Sequence, residues 1–182
     1  MKVTPLNIPD VLLIEPKVFE DERGFFFESF NSEAFKKTTS LNVDFVQDNH
    51  SKSYRGVLRG LHYQIYPYAQ GKLVRVIHGE VLDVAVDIRR SSPYFGKYVT
   101  HVLSAKNKKQ MWIPEGFAHG FLTLSENSEF VYKTTNFYNY NFERCIKWND
   151  VLLNINWPKD VQIELSEKDK FGKPFENSEI FD

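Results

Sequence analysis

The chain has 182 residues, 42% of them hydrophobic with 16 Phe and 9 Tyr, enough to build one packed core in a single domain spanning 1–182. With 23 basic against 24 acidic residues the formal charge is −1, which argues against nucleic acid or an anionic membrane as partner, and no apolar run approaches the ~20 residues of a membrane span. The single cysteine, Cys145, excludes an intrachain disulfide framework and a cysteine metal cluster and fits a reducing cytoplasm; residues 1–10 contain no apolar h-region, so a secretory signal is not expected.

In chain order, residues 11–14 form the first predicted strand. Asp21 to Gly24 reads as a turn, followed by a strand over 24–30 with Phe25, Phe27 and Ser29 on one face and Phe26, Glu28 and Phe30 on the other. Phenylalanines on both faces predict double burial, by the core and by a second subunit. A short helix is expected over 32–37, capped by Ser32. Residues 57–64 read as a strand, and 73–88 as a hairpin turning at Gly79, its second arm alternating Leu82, Val84, Val86 and Ile88 with Asp83, Ala85 and Asp87. Further strands are predicted at 98–103, 111–113, 120–124 and 130–135, and a second short helix starts at Ser166. Short strands with frequent turns predict an all-β domain, closed or sandwiched, with a jelly roll as the natural form and a mixed tail packed on it.

Four stretches carry groups capable of chemistry. In Val57 to Gln64 the period of two puts Leu58, Gly60, His62 and Gln64 on one face and Arg59, Leu61 and Tyr63 on the other. His62 then points into a barrel, although a buried, hydrogen-bonded histidine fits the same spacing. Pro114-Glu115-Gly116-Phe117-Ala118-His119 resembles the second motif of cupin barrels, whose histidine enters the barrel and often holds a metal; a Pro-Gly turn before a strand is the plainer reading. Tyr132 shares a face with Phe130 and Thr134, as either a site tyrosine or a core one. Arg23, in the 21–24 turn, is either a phosphate partner or a surface arginine.

The first cupin motif has two histidines two apart, then a glutamate, six residues and a glycine. Here the pair is His62 and Gln64, and Lys72, with six residues between it and Gly79, stands where the glutamate ligand would be. A cation cannot ligate a metal ion, and an amide is a poor substitute for imidazole, so the pattern is that of a cupin whose metal site has been dismantled.

Asp21 to Phe26, Gln47 to Ser51, Leu58 to His62, Gln70 to Val74, Ile113 to Phe121 and the segment around Tyr132 stand in one order that resembles the dTDP-4-dehydrorhamnose 3,5-epimerase family, from about Val11 to about Lys170. The resemblance implies a homodimeric cupin-type double-stranded β-helix, a jelly-roll barrel with a few short helices near the termini, using no metal or organic cofactor. It implies His62 as base, Asp169 as the carboxylate orienting it, Lys72 as the cation near the sugar O4 and Tyr132 as the acid on the opposite face. Asp169 also reads as the partner of Ser166 in a helix cap. The resemblance assigns the diphosphate to Arg59 and to Arg23 of a partner subunit, the thymine ring to Phe26 and Tyr138, and further contacts to Glu28, Gln47, Asp48, Asn49, His119, Glu143 and Lys168. Asp83 is expected behind His119 or Lys72. Residues 65–69 leave the family pattern, and Tyr66 and Tyr68 there are expected to reshape the sugar pocket.

The function implied is epimerisation at C3 and C5 of dTDP-4-dehydro-6-deoxy-D-glucose, or at one of these centres, or of another nucleotide-linked 4-keto sugar. A metal-dependent cupin is disfavoured by Gln64 and Lys72. A sugar-nucleotide-binding module without activity is disfavoured by the set His62, Lys72, Tyr132 and Asp169.

Overall fold

A computed structural model describes residues Met1–Asp182. Its strands are β1 (Lys2–Pro5), β2 (Leu12–Glu15), β3 (Phe19–Asp21), β4 (Gly24–Phe26), β5 (Gln47–Tyr54), β6 (Val57–Gln64) and β7 (Lys72–His78). They continue as β8 (Glu80–Asp87), β9 (Tyr98–Ser104), β10 (Gln110–Ile113), β11 (Phe117–Thr123), β12 (Asn127–Thr134), β13 (Glu143–Cys145) and β14 (Glu164–Leu165). Two helices, α1 (Ser32–Thr39) and α2 (Glu167–Lys170), complete the regular structure.

One six-stranded sheet runs β1-β2-β10-β7-β12-β5; the other carries β13-β6-β11-β8-β9, with β14 beside β6. From β5 to β8, and again from β10 to β13, the chain alternates between the two sheets, which is the winding of a double-stranded β-helix. Between the sheets lies an apolar layer holding Val74, Val76, Met111, Ile113 and Phe130 from one and Val81, Ala85, Val99, Phe117 and Phe121 from the other. The outer face of the β6 sheet is covered by the C-terminal segment, where Leu58, Leu61 and Leu122 meet Ile146, Leu153, Trp157 and Phe181. The outer face of the other sheet is partly covered by α1, with Phe35 packed on Trp112 and Leu73.

The expected all-β barrel is present, with four local corrections. First, Gly79 does turn the chain (φ +73°), but β7 and β8 do not pair; they enter opposite sheets. The period-two pattern shows which residues share a face but names neither a strand's neighbour nor the face that looks inward: Leu82, Val84, Val86 and Ile88 pack on the outer core, and it is Val81 and Ala85 that meet Val74 and Val76 between the sheets. Second, β6 carries a bulge. His119 pairs with His62 and Phe121 with Arg59, so Gly60 and Leu61 together oppose Gly120. A Cβ on Gly60 would lie 2.6 Å from the Gly120 Cα, so the close approach needs glycine. The extra residue breaks the alternation: Leu58, Leu61 and Tyr63 face the outer core, while Arg59, expected opposite His62, shares its side.

Third, the strand expected over 24–30 is only β4, paired with β3, and Phe25 and Phe26 are 61% and 67% exposed. Phe30 has left this hairpin and packs edge-on against Phe45 at 5.2 Å. Fourth, α1 is capped by Asn31, whose Oδ1 accepts from Ala34 N at 3.0 Å, and not by Ser32. Both residue types cap well; Asn31 holds the extended backbone the cap requires.

Candidate active site

The cavity between the sheets opens over β6, where the bulge directs Arg59, His62 and Gln64 inward. Its volume is about 330 Å³, and Lys72 from β7, His119 from β11, Tyr132 from β12, Asn49 from β5, and Tyr138, Glu143 and Lys168 from the C-terminal third also line it. Nine of the expected site residues, from six strands, one loop and α2, are thus brought together around one cavity.

His62 lies between β11 and β13, with His119 and Cys145 as its Cα partners. Its Nε2 is 2.5 Å from Asp169 Oδ1, leaving Nδ1 as the nitrogen able to take a proton. The other carboxylate oxygen accepts from Ser166 Oγ at 2.7 Å, and Ser166 Oγ also accepts from Asp169 N at 3.2 Å. The helix cap and the histidine partner are therefore one arrangement: α2 is capped by the residue that fixes the carboxylate. Burial works to raise Asp169, but the hydrogen bonds from His62 and Ser166 outweigh it and hold the carboxyl below its ordinary range. Burial draws His62 below its ordinary value despite the pull of Asp169, so the ring is neutral at pH 7.

Lys72 is 7% exposed and donates to the His62 carbonyl at 3.2 Å. Burial lowers it to about 8, with Asp83 and Glu143 opposing the shift. Asp83 sits behind His119, both carboxylate oxygens 3.0 Å from Nε2, while Asp87, expected on the same face, pairs with Arg89. The Tyr132 ring packs against the inter-sheet core, and burial followed by the charge of Glu143 raises its hydroxyl, which keeps its proton at neutral pH. At the mouth, Tyr138 Oη donates to Glu143 Oε2 at 3.0 Å and Lys168 Nζ donates to the other oxygen of Glu143. Arg59 is aimed by Ser53 Oγ (3.0 Å) and Lys52 O (3.1 Å).

The remaining expected residues lie elsewhere in this chain. Arg23 is on the exposed β3–β4 hairpin, bonded to Asp21, and Phe26 is beside it. Glu28 accepts from Asn31. Gln47 does not line the cavity; its Oε1 accepts from Tyr138 N at 2.9 Å. Asp48 pairs with Lys133 at 3.0 Å along a neighbouring cleft of about 510 Å³. Tyr66 packs on Phe181 and Tyr68 on Phe142, and neither lines the cavity, so residues 65–69 do not reshape it with their rings.

Cys145 was not expected in the site. It reaches it on β13, a strand too short and polar to show in the sequence, and its thiol lies 3.9 Å from Asp169 Oδ1. His62, Cys145 and Asp169 bring one ligand atom each within 4.8 Å of one another. Burial pushes the Cys145 thiol up to about 12, so it is protonated at neutral pH, and the carboxylate is taken by His62 and Ser166; this donor set suits a hydrogen-bonded group better than a metal centre. His50, Ser51 and Gln70 also line the cavity without having been singled out.

The arrangement offers a neutral imidazole oriented by a carboxylate, a buried cation beside it and a protonated phenol, all around one polar cavity. Comparison with known proteins gives a consistent picture. The family model described as dTDP-4-dehydrorhamnose 3,5-epimerase matches residues 5–177. The dTDP-4-dehydrorhamnose 3,5-epimerase of Shigella flexneri is 61% identical over 181 residues, covering 100% of this chain and 99% of that protein. The protein of the same name from Pseudomonas aeruginosa is 62% identical over 181 residues, with the same coverage. Among solved structures, the dTDP-6-deoxy-D-glucose-3,5-epimerase of Legionella pneumophila, in complex with dTDP-4-keto-L-rhamnose, superposes with a TM-score of 0.95 at 48% identity, covering 98% of this chain and 94% of that one.

Proposed function

The chain belongs to the dTDP-4-dehydrorhamnose 3,5-epimerase family and is an isomerase, and we propose how its cavity carries out the reaction on dTDP-4-dehydro-6-deoxy-D-glucose. The C3 and C5 hydrogens flank the C4 ketone, so loss of either leaves an enolate. His62 Nδ1 removes the proton, with Asp169 holding the tautomer and stabilising the imidazolium that forms. Lys72 faces O4 and balances the enolate charge. Tyr132 returns a proton from the other face, and protonation opposite to the point of removal inverts the centre. The supporting observation is that His62, bonded to Asp169, faces one cavity with Lys72 and Tyr132. The test is turnover: the purified protein, without added metal or organic cofactor, yields dTDP-4-dehydro-L-rhamnose; an unchanged substrate contradicts the proposal.

At the nucleotide end, Arg59 and Lys168 take the diphosphate and Tyr138 stacks on the thymine. The exposed β3–β4 hairpin reaches a second copy, so that Arg23 of the partner subunit and Phe26 of the partner subunit complete that end. A homodimer is expected by light scattering at micromolar concentration, because Phe19, Phe25 and Phe26 are each more than half exposed in the isolated chain. A monomer would contradict both the dimer and the lent residues. No helix is long and apolar enough to cross a membrane. The one cysteine is a free thiol, which suits a reducing compartment, and the cytoplasm is the location we propose.

The pH dependence follows from two groups. His62 must be neutral, and its value is lowered from 6.5, so the acid limb of kcat/KM lies below pH 6.5. Lys72 must be charged, and its value is lowered to about 8, so activity falls as pH rises through about 8. Lys72→Met is expected to cost ~10²–10³ in kcat, the worth of one oxyanion donor, and to abolish the alkaline limb. A limb at the same pH in the variant would assign it to another group.

A further inference from the structure

Gln64 occupies the strand position of the second histidine in metal-holding cupins, and the reaction described above gives it no role. It is 3% exposed and its side chain is fully engaged. Nε2 donates to Tyr68 O at 2.6 Å and to Phe137 O at 3.1 Å, and Oε1 accepts from Asn139 N at 2.7 Å. All three partners are backbone groups, drawn from the two loops that rim the cavity. Two of them flank Tyr138. The loops are also joined to each other, through Gln70 Nε2 to Asn136 O at 2.7 Å and Asn136 Nδ2 to Pro67 O at 3.0 Å.

We propose that Gln64 is a positioning residue for nucleotide binding: it locks the backbone on either side of Tyr138 to the strand that carries His62. The inference rests on the reading of Tyr138 as a contact to the nucleotide base. Both N–H groups of the amide are spent on carbonyls, so Gln64 lines the cavity without a donor to offer the sugar. The residue type follows from the bond count. An imidazole has two nitrogens and can satisfy at most two of the three partners, while the amide supplies two donors and an acceptor. Binding then gains because the ring of Tyr138 is already held in place before the ligand arrives. The bond from Tyr138 N to Gln47 restrains the same residue from β5, so the loop is pinned to both sheets.

The test uses dTDP as probe, with titration calorimetry for its affinity and steady-state kinetics on the sugar nucleotide. Gln64→Met keeps the length and removes all three bonds. It is expected to raise the Kd for dTDP about tenfold, the scale of one to two lost hydrogen bonds, and to raise KM in parallel, with kcat within about threefold of wild type. Gln64→Glu keeps the Asn139 bond while setting a carboxylate against two carbonyls, and serves if the methionine variant does not fold. Tyr138→Ala is expected to weaken dTDP as well, and the double variant to be no weaker than the worse single one, because Gln64 acts through Tyr138. A lowered melting temperature with unchanged dTDP affinity, or a fall in kcat at unchanged affinity, overturns the role of Gln64. Intact dTDP affinity in Tyr138→Ala instead overturns the reading of Tyr138 as a base contact.

Discussion

His62→Ala is expected to lower kcat by about 10²–10⁴, the range for loss of a positioned general base, while dTDP affinity stays within a few-fold of wild type. The size of the loss follows from the surroundings of the ring. Its Nε2 is committed to Asp169, itself fixed by Ser166, so the proton acceptor is a single nitrogen in one tautomer. Its two neighbours in the proposed mechanism do not replace it: Lys72 is charged below about 8, and the Tyr132 hydroxyl is raised and keeps its proton. Asp169→Asn is expected to show much of the same loss, because an amide can present its N–H to the ring and favour the other tautomer. Activity of His62→Ala within a few-fold of wild type would remove His62 from the role.

Tyr132→Phe separates the two halves of the reaction. The ring stays packed against the inter-sheet core and only the hydroxyl is lost. His62 and Lys72 remain, so C–H removal and enolate formation persist. Reprotonation is then left to His62 on the original face or to water. The variant is expected to wash solvent deuterium into C3 or C5 while inversion falls ~10²-fold or more, the scale of a positioned general acid. The raised value of the hydroxyl suits this role, since an ionised phenol would have no proton to give. If Tyr132 were only a core residue, phenylalanine would lower stability by ~1 kcal/mol and leave exchange and inversion coupled. Equal loss of both, or loss of neither, would show that Tyr132 is not the acid.

What was legible in the sequence were the strands with strong apolar alternation. Residues 57–64 were read with the bounds they have, and 98–103 and 111–113 fell within a residue of theirs. β5 was missed because its sequence, QDNHSKSY, is polar throughout; tertiary pairing with β12 makes it a strand. Pairing was illegible where the chain crosses between sheets, as at Gly79, because periodicity encodes a face and not a neighbour. The shared side of Arg59 and His62 was hidden by one bulge residue, which inverts the parity of everything beyond it. Within the site, His62, Lys72, Tyr132 and Asp169 were found through resemblance to a family, and the chain brings His62 and Asp169 together across 107 residues of sequence. Cys145 and the bonding of Gln64 carried no local signal, since each depends on a loop or short strand placed by the fold.

The most direct measurement is proton NMR of dTDP-4-dehydro-6-deoxy-D-glucose with the purified enzyme in heavy water, following C3 and C5 separately. Deuterium is expected at both carbons, with both centres inverted in the product. Exchange and inversion confined to one carbon would make the enzyme a single-centre epimerase, and the absence of exchange at either would contradict proton transfer through a C4 enolate.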